Sequence, residues 1–140
     1  MFDENGIIDH IHELELSIKD WERYQKLSIH ELKHDRDKQN MVLHAMLIAI
    51  QSSIDISNHI ISEQKLTPPS SYRESFIILS ENQIIDHKLS IELAKLASFR
   101  NYLVHVYFKL NLNIVYNILQ NDLKYLIEFL NIIKQYLRKS

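Results

Sequence analysis

The segment Arg100-Asn-Tyr-Leu-Val-His105-Val-Tyr107 carries a guanidinium, an amide, an imidazole and a phenol within eight residues. A guanidinium pairs with anionic oxygens through two parallel N–H bonds. An imidazole takes up and releases a proton near neutral pH. The octet lies in an acid-free stretch. Residues 93–121 contain Lys95, Arg100, His105 and Lys109, while all 18 Asp and Glu of the chain lie elsewhere. A chain of net charge −2 thus keeps one segment locally positive, where an anionic ligand would sit. On a regular helix Arg100 and Tyr107 are seven apart and nearly eclipsed, and Asn101 and His105, four apart, share a neighbouring stripe. Arg100 and His105 lie about 140° apart and flank a groove. They converge on one ligand if the helix end distorts, or if a second copy of the helix faces the first. The competing account is that Leu96, Phe99, Leu103 and Val104 form core while Arg, His and Tyr reach outward.

A second pattern, His30-Glu-Leu-Lys-His34, matches H-E-x-x-H, in which two His one turn apart bind zinc and the Glu activates water. With eight His in 140 residues, chance alone yields such a pattern in about 3% of shuffled sequences. Glu31 also has a structural job, because Ser28-Ile-His-Glu31 reads as a capping box. The charged run Asp35-Arg-Asp-Lys38 that follows suits a solvated helix rather than the dry cleft that zinc catalysis needs. His10 and His12 point about 200° apart on a helix and cannot chelate together. His44, His59 and His87 are isolated. No metal site is predicted.

Composition narrows the remaining classes. The chain has one glycine (Gly6), two prolines (Pro68 and Pro69) and no cysteine. Phosphate loops, dinucleotide fingerprints and nucleophile elbows each need several glycines. Disulfides, zinc fingers and thiol catalysis need cysteine. Tight hairpins lean on Gly and Asn-Gly, so an antiparallel sheet is disfavoured. With 16 Lys and Arg against 18 Asp and Glu and a pI near 6.4, bulk attraction to nucleic acid or anionic membrane is not expected. The apolar run at 45–50 is too short to span a bilayer, and the acidic N-terminus lacks the pattern of a secretory signal. A cytoplasmic protein is the expectation, using His, Arg, Tyr, Ser and carboxylates and no cofactor.

The elements that must position the octet read as helices. Ile7, Ile11, Leu14, Ile18 and Trp21 mark a first helix to about Leu27. The capping box at Ser28, with Leu27 and Leu32 as a hydrophobic staple, opens a long second helix to about Gln64. Its stripe is Met41, Ala45, Ile48, Ser52, Ile56 and Ile60, and Ala45, Ala49, Ser52 and Ser53 permit close helix approach. Two prolines make 65–71 a linker. A second capping box, Ser71-Tyr-Arg-Glu74, starts a short helix through about Leu79. Another helix spans about Asp86 to Tyr107. Asn111 or Asn113 then caps a final helix to about Arg138, with Leu119, Leu123, Leu126 and Leu130 on its buried side and a basic last turn opposing the dipole. The prediction is one all-α domain over 1–140, an up-and-down bundle of four main helices plus a short one, with apolar surface enough for a helical dimer.

At the octet the sequence resembles the HepT-like toxins of the HEPN superfamily, small helical proteins whose signature is Arg, four residues, His, any residue, Tyr. Here these are Arg100, His105 and Tyr107, with the polar Asn101 after the Arg. The runs Tyr72-Arg-Glu-Ser-Phe76 and Leu93-Ala-Lys-Leu-Ala-Ser-Phe-Arg100 are similar to one branch of that family, and the similarity extends from about Met41 to Ile133. Another branch carries Trp and Gly before the Arg, where this chain has Ala97, Ser98 and Phe99. The resemblance implies a HEPN-like fold and a homodimer whose signature helices meet at a cleft. It also implies a metal-independent endoribonuclease acting on tRNA or mRNA, the toxin of a type VII toxin–antitoxin pair. Its antitoxin would be an MntA-like nucleotidyltransferase that adds AMP to Tyr107.

The residue chemistry is compatible, because RNA carries its own nucleophile, the 2′-hydroxyl. His105 would serve as general base or acid and Arg100 would pair with the phosphate. Asn101 would orient His105 or the scissile phosphate, with Lys95 and Lys109 as RNA contacts. AMP on Tyr107 would set a bulky anion beside Arg100. The alternative class is a non-catalytic nucleotide- or protein-binding partner of a nucleotidyltransferase, using the same cleft only to bind. A purely structural helical dimer is the third.

Overall fold

Polar caps and buried carbonyls decide where the helices begin and break. The computed structural model describes residues 4–139, except the side chains of residues 4, 5 and 107. Among them seven α-helices form: α1 (Glu4–Tyr24), α2 (Ile29–His34), α3 (Arg36–Glu63), α4 (Tyr72–Glu81), α5 (His87–His105), α6 (Leu112–Asn121) and α7 (Leu123–Lys139). A 3-10 turn at Tyr107–Lys109 follows α5. No strand occurs among the described residues. The all-helical expectation holds, but two of the expected helices are broken.

The long second helix divides at Asp35. This residue is extended (φ −110°, ψ 104°), and its carboxylate accepts from the Lys38 amide at 3.1 Å, as an N-cap does. The capping box that opens α2 is present, with Ser28 Oγ accepting from the Glu31 amide and Glu31 Oε1 accepting from the Ser28 amide, both at 3.1 Å. The final helix divides at Asp122 for a tertiary reason. In an unbroken helix the Leu119 carbonyl would accept from the Leu123 amide. Instead it accepts from Trp21 Nε1 at 2.8 Å and from Gln25 Nε2 at 2.9 Å, both from the end of α1. Tyr116 Oη and Gln120 Nε2 donate back to the Leu27 and Gln25 carbonyls. Asn111 caps α6, accepting from the amides of Asn113 and Ile114.

α3 is the central element. α1 packs along it on one side, α4 and α5 meet it on another, and α7 touches α1, α3 and α5. The small residues Ala45, Ala49, Ser52 and Ser53 of α3 are buried, as close helix approach requires. The exposed Met41 departs from the expected stripe, and Val42 and Met46 are buried beside it instead. A stripe drawn from a single heptad start drifts on a helix of this length. The core is closed by Trp21, Phe76 and Phe129, the two Phe rings meeting edge to face at 5.8 Å.

α3 and α4 both end without glycine. Lys65 (φ 56°) and Gln83 (φ 57°) take the left-handed position. The Leu66 amide donates to the Ile61 carbonyl and the Ile84 amide to the Leu79 carbonyl, the six-to-one bond of a Schellman end. The turn at Lys65 sends the chain into the Pro68–Pro69 linker that walls the site below.

Candidate active site

α5 delivers the octet to the surface at its C-terminal end. Asp86 caps it, accepting from the Leu89 amide at 2.7 Å, and Leu89, Leu93, Leu96, Phe99 and Leu103 bury its inner side. Val104 does not join that core; it is 44% exposed. The helix stops at His105, two residues earlier than its periodicity suggests, and Val106 leaves the helical region (φ −120°, ψ 23°). Tyr107 therefore opens the 3-10 turn, and its register with Arg100 on a regular helix does not hold. The Tyr107 side chain lies outside the described residues.

Arg100, Asn101 and His105 line one open groove of about 540 Å³. Its opposite wall comes from Asn58 of α3, from Pro69, Ser70 and Ser71 of the linker, and from Tyr72 and Ser75 of α4. Arg100 is held on three sides. Nε donates to Gln51 Oε1 at 2.9 Å, Nη1 donates to Asn101 Oδ1 at 3.1 Å, and the guanidinium carbon stands 4.7 Å from the centre of the Tyr72 ring. Such a contact over an aromatic face is worth about 0.5–2 kcal/mol. The Asn101 oxygen is thus turned toward Arg100, which leaves its amide N–H groups as the donors. Across the groove Asn58 Oδ1 accepts from Ser75 Oγ at 2.6 Å, so Asn58 too keeps donors in hand. Arginine, two amides and the Ser71 hydroxyl, which accepts from the Glu74 amide and keeps its own proton, make a donor-lined wall suited to anionic, acceptor-rich groups.

The two expected lysine contacts stand apart from this groove. Lys95 pairs with Glu92 at 3.4 Å, one residue outside the acid-free stretch, and Lys109 projects from the 3-10 turn. The H-E-x-x-H residues are equally remote. The His30 and His34 rings lie 4.4 Å apart, but Glu31 is committed elsewhere. Its Oε2 accepts from Lys38 Nζ at 2.7 Å, and that bond, with the Ser28 amide, holds its carboxyl below the usual glutamate range. A carboxylate so engaged serves the helix start.

Gln51, Asn58, Tyr72 and Ser75 are the site residues that sequence spacing misses. They come from α3 and α4, and each has an ordinary reading there: a polar residue on a long helix, or the first turn of a short one. Only packing distinguishes them: Gln51 and Tyr72 meet Arg100, while Asn58 and Ser75 line the groove beside it.

Residues 14–133 match the family described as Ribonuclease HepT-like. The chain belongs to the ribonuclease HepT-like family. The expectation of an enzyme stands with it, since ribonuclease is the activity this family carries. The HepT-like chain is 38% identical over 104 residues to the mRNA nuclease HepT of Shewanella oneidensis, covering 74% of this chain and 78% of that one. It is 28% identical over 94 residues to the tRNA nuclease HepT of Aphanizomenon flos-aquae, covering 67% and 64%. In three dimensions it is similar to the tri-AMPylated Shewanella oneidensis HEPN toxin solved in complex with an MNT antitoxin. That match has a TM-score of 0.84 at 34% identity, over 96% of this chain and 99% of the toxin. The HEPN-like fold is thereby established. Among the described residues of the HepT-like chain, no helix is long and apolar enough to cross a membrane.

Proposed function

We propose that this HepT-like chain is the toxin of a type VII toxin–antitoxin pair, a metal-independent endoribonuclease that works as a homodimer in the cytoplasm. Its RNA substrate is an mRNA or a tRNA, the two classes named for its relatives. The observation that carries the reading is the convergence of Arg100, Asn101 and His105 on one donor-lined groove. The similarity to a toxin solved with its antitoxin supports the partner.

The residues divide the chemistry as follows. His105 takes the proton from the ribose 2′-hydroxyl as the 2′-oxygen bonds to phosphorus. The bond from phosphorus to the 5′-oxygen breaks, and the protonated imidazole returns its proton to that oxygen. The products are a 2′,3′-cyclic phosphate and a 5′-hydroxyl. Arg100 holds the non-bridging oxygens and offsets the charge that builds on them. Asn101, bonded to Arg100, adds an N–H donor to the same phosphate. Lys109 extends the contact along the RNA backbone, and Lys95 adds a weaker one because Glu92 is its partner. An MntA-like nucleotidyltransferase silences the toxin by adding AMP to Tyr107. Tyr107 follows His105 by two residues, and the AMP it would carry is itself a bulky phosphate anion.

The test is induction of the parent and of Arg100→Ala, His105→Ala and Tyr107→Phe variants in cells, with RNA cleavage followed in EDTA. The first two variants should lose toxicity and cleavage. Tyr107→Phe should show no adenylyl mass gain after incubation with the transferase and ATP. Undiminished toxicity in both Arg100→Ala and His105→Ala would overturn the reading.

A further inference from the structure

Arg100 is held by a group that is deliberately uncharged. Gln51 of α3 accepts from its Nε, and Gln51 itself is fixed, because its Nε2 donates to Asp55 Oδ1 at 2.9 Å one turn along the same helix. That second bond sets which way the Gln51 amide faces, oxygen toward Arg100 and nitrogen toward Asp55. Asp55 in turn stands 3.8 Å from His10 Nδ1 on α1. A line of polar groups thus runs from α1 through α3 to the guanidinium on α5, and it is partly buried at Gln51, Asp55 and Arg100.

The order of the line matters. With Nε engaged by Gln51, the side of the guanidinium formed by Nε and Nη2 no longer offers a two-pronged fork. Nη1 gives one hydrogen to Asn101 Oδ1, so its second hydrogen and the two on Nη2 are the donors left for a ligand in the groove. A carboxylate at position 51 would hold the same geometry but neutralise the cation and compete with phosphate for it. The amide holds the geometry and leaves the charge. The only carboxylate in the line, Asp55, is kept one residue removed from Arg100.

We infer that Gln51, braced by Asp55, is a positioning residue that aims Arg100 at the substrate phosphate while adding no negative charge beside it. The inference rests on Arg100 being the phosphate-binding residue of the proposed ribonuclease.

Gln51→Leu and Gln51→Glu separate aim from charge. The readout is steady-state cleavage of a 5′-labelled, mixed-sequence single-stranded RNA oligonucleotide, with helicity and melting by circular dichroism as the check on folding. Gln51→Leu should lower kcat roughly tenfold to a hundredfold with little change in KM, since the cation remains but its direction is lost. Gln51→Glu should raise KM about tenfold, a charge-assisted bond's worth of affinity, while helicity and melting stay near the parent's. Adding Asp55→Asn to the parent should reproduce part of the Gln51→Leu effect on kcat. Parent-like kinetics in both Gln51 variants beside an inactive Arg100→Ala would overturn the inference and leave the ribonuclease reading intact. Parent-like cleavage in Arg100→Ala would overturn the reading itself. Equal kcat losses in both Gln51 variants with no change in KM would remove the charge half of the argument and so overturn the inference as stated.

Discussion

At the residue scale, the site depends on the shape of a guanidinium as much as on its charge. Arg100 bonds along two in-plane directions, to Gln51 and Asn101, and lays its face on Tyr72. Lysine keeps the charge but has neither the planar face nor an Nε donor. Arg100→Lys should therefore lower kcat on the RNA oligonucleotide by about 10²- to 10³-fold, the usual cost of losing one placed donor to a developing charge. Retention of more than a tenth of the parent's kcat would show that charge alone suffices. The octet was legible in the sequence because local composition singled it out, an acid-free run in an acidic chain. Its helical register was not, since the regular helix assumed for Arg100 and Tyr107 ends at His105. Position 106 carries no proline or glycine to announce that end.

At the element scale, helix ends shape the groove. The linker that walls it leaves α3 through Lys65 in the left-handed region, where a Cβ costs about 1–2 kcal/mol. Glycine takes that position without the clash and is the usual choice at a Schellman end. Lys65→Gly should raise stability by about 0.5–1 kcal/mol, read as a higher urea midpoint at unchanged m-value. A lower midpoint would mean that the lysine side chain contributes more than its backbone costs. The Ser28 capping box and the Ser71 N-cap were readable because they are local, but the expected box at Ser71 is only half formed, since the Glu74 carboxylate accepts from Ser70 rather than from the Ser71 amide. Asp35 uses the same chemistry, but residues 33–40 are all polar, so no apolar period marks the break and the cap was hidden inside a charged run.

At the scale of the whole molecule, the two ends of the bundle are joined by side chains bonded to backbone. Trp21, fully buried, donates to the Leu119 carbonyl, just before the last helix breaks between α6 and α7. Trp21→Phe keeps most of the apolar volume but removes the donor. It should cost about 2 kcal/mol, measured by urea unfolding followed in far-ultraviolet circular dichroism. A loss below about 0.5 kcal/mol would mean that Gln25 alone satisfies the carbonyl. The sequence by itself determined the all-helical class, the linker and most caps, since each follows from local spacing, backbone restriction or composition. Tertiary structure alone decided that the last helix breaks at Asp122, because the donors that take its carbonyl come from 98 and 94 residues away. It also decided what surrounds Arg100. Gln51, Tyr72 and Asn58 are ordinary residues until α3, α4 and α5 pack, and only packing brings an acceptor and an aromatic face to one cation and an amide to the groove beside it.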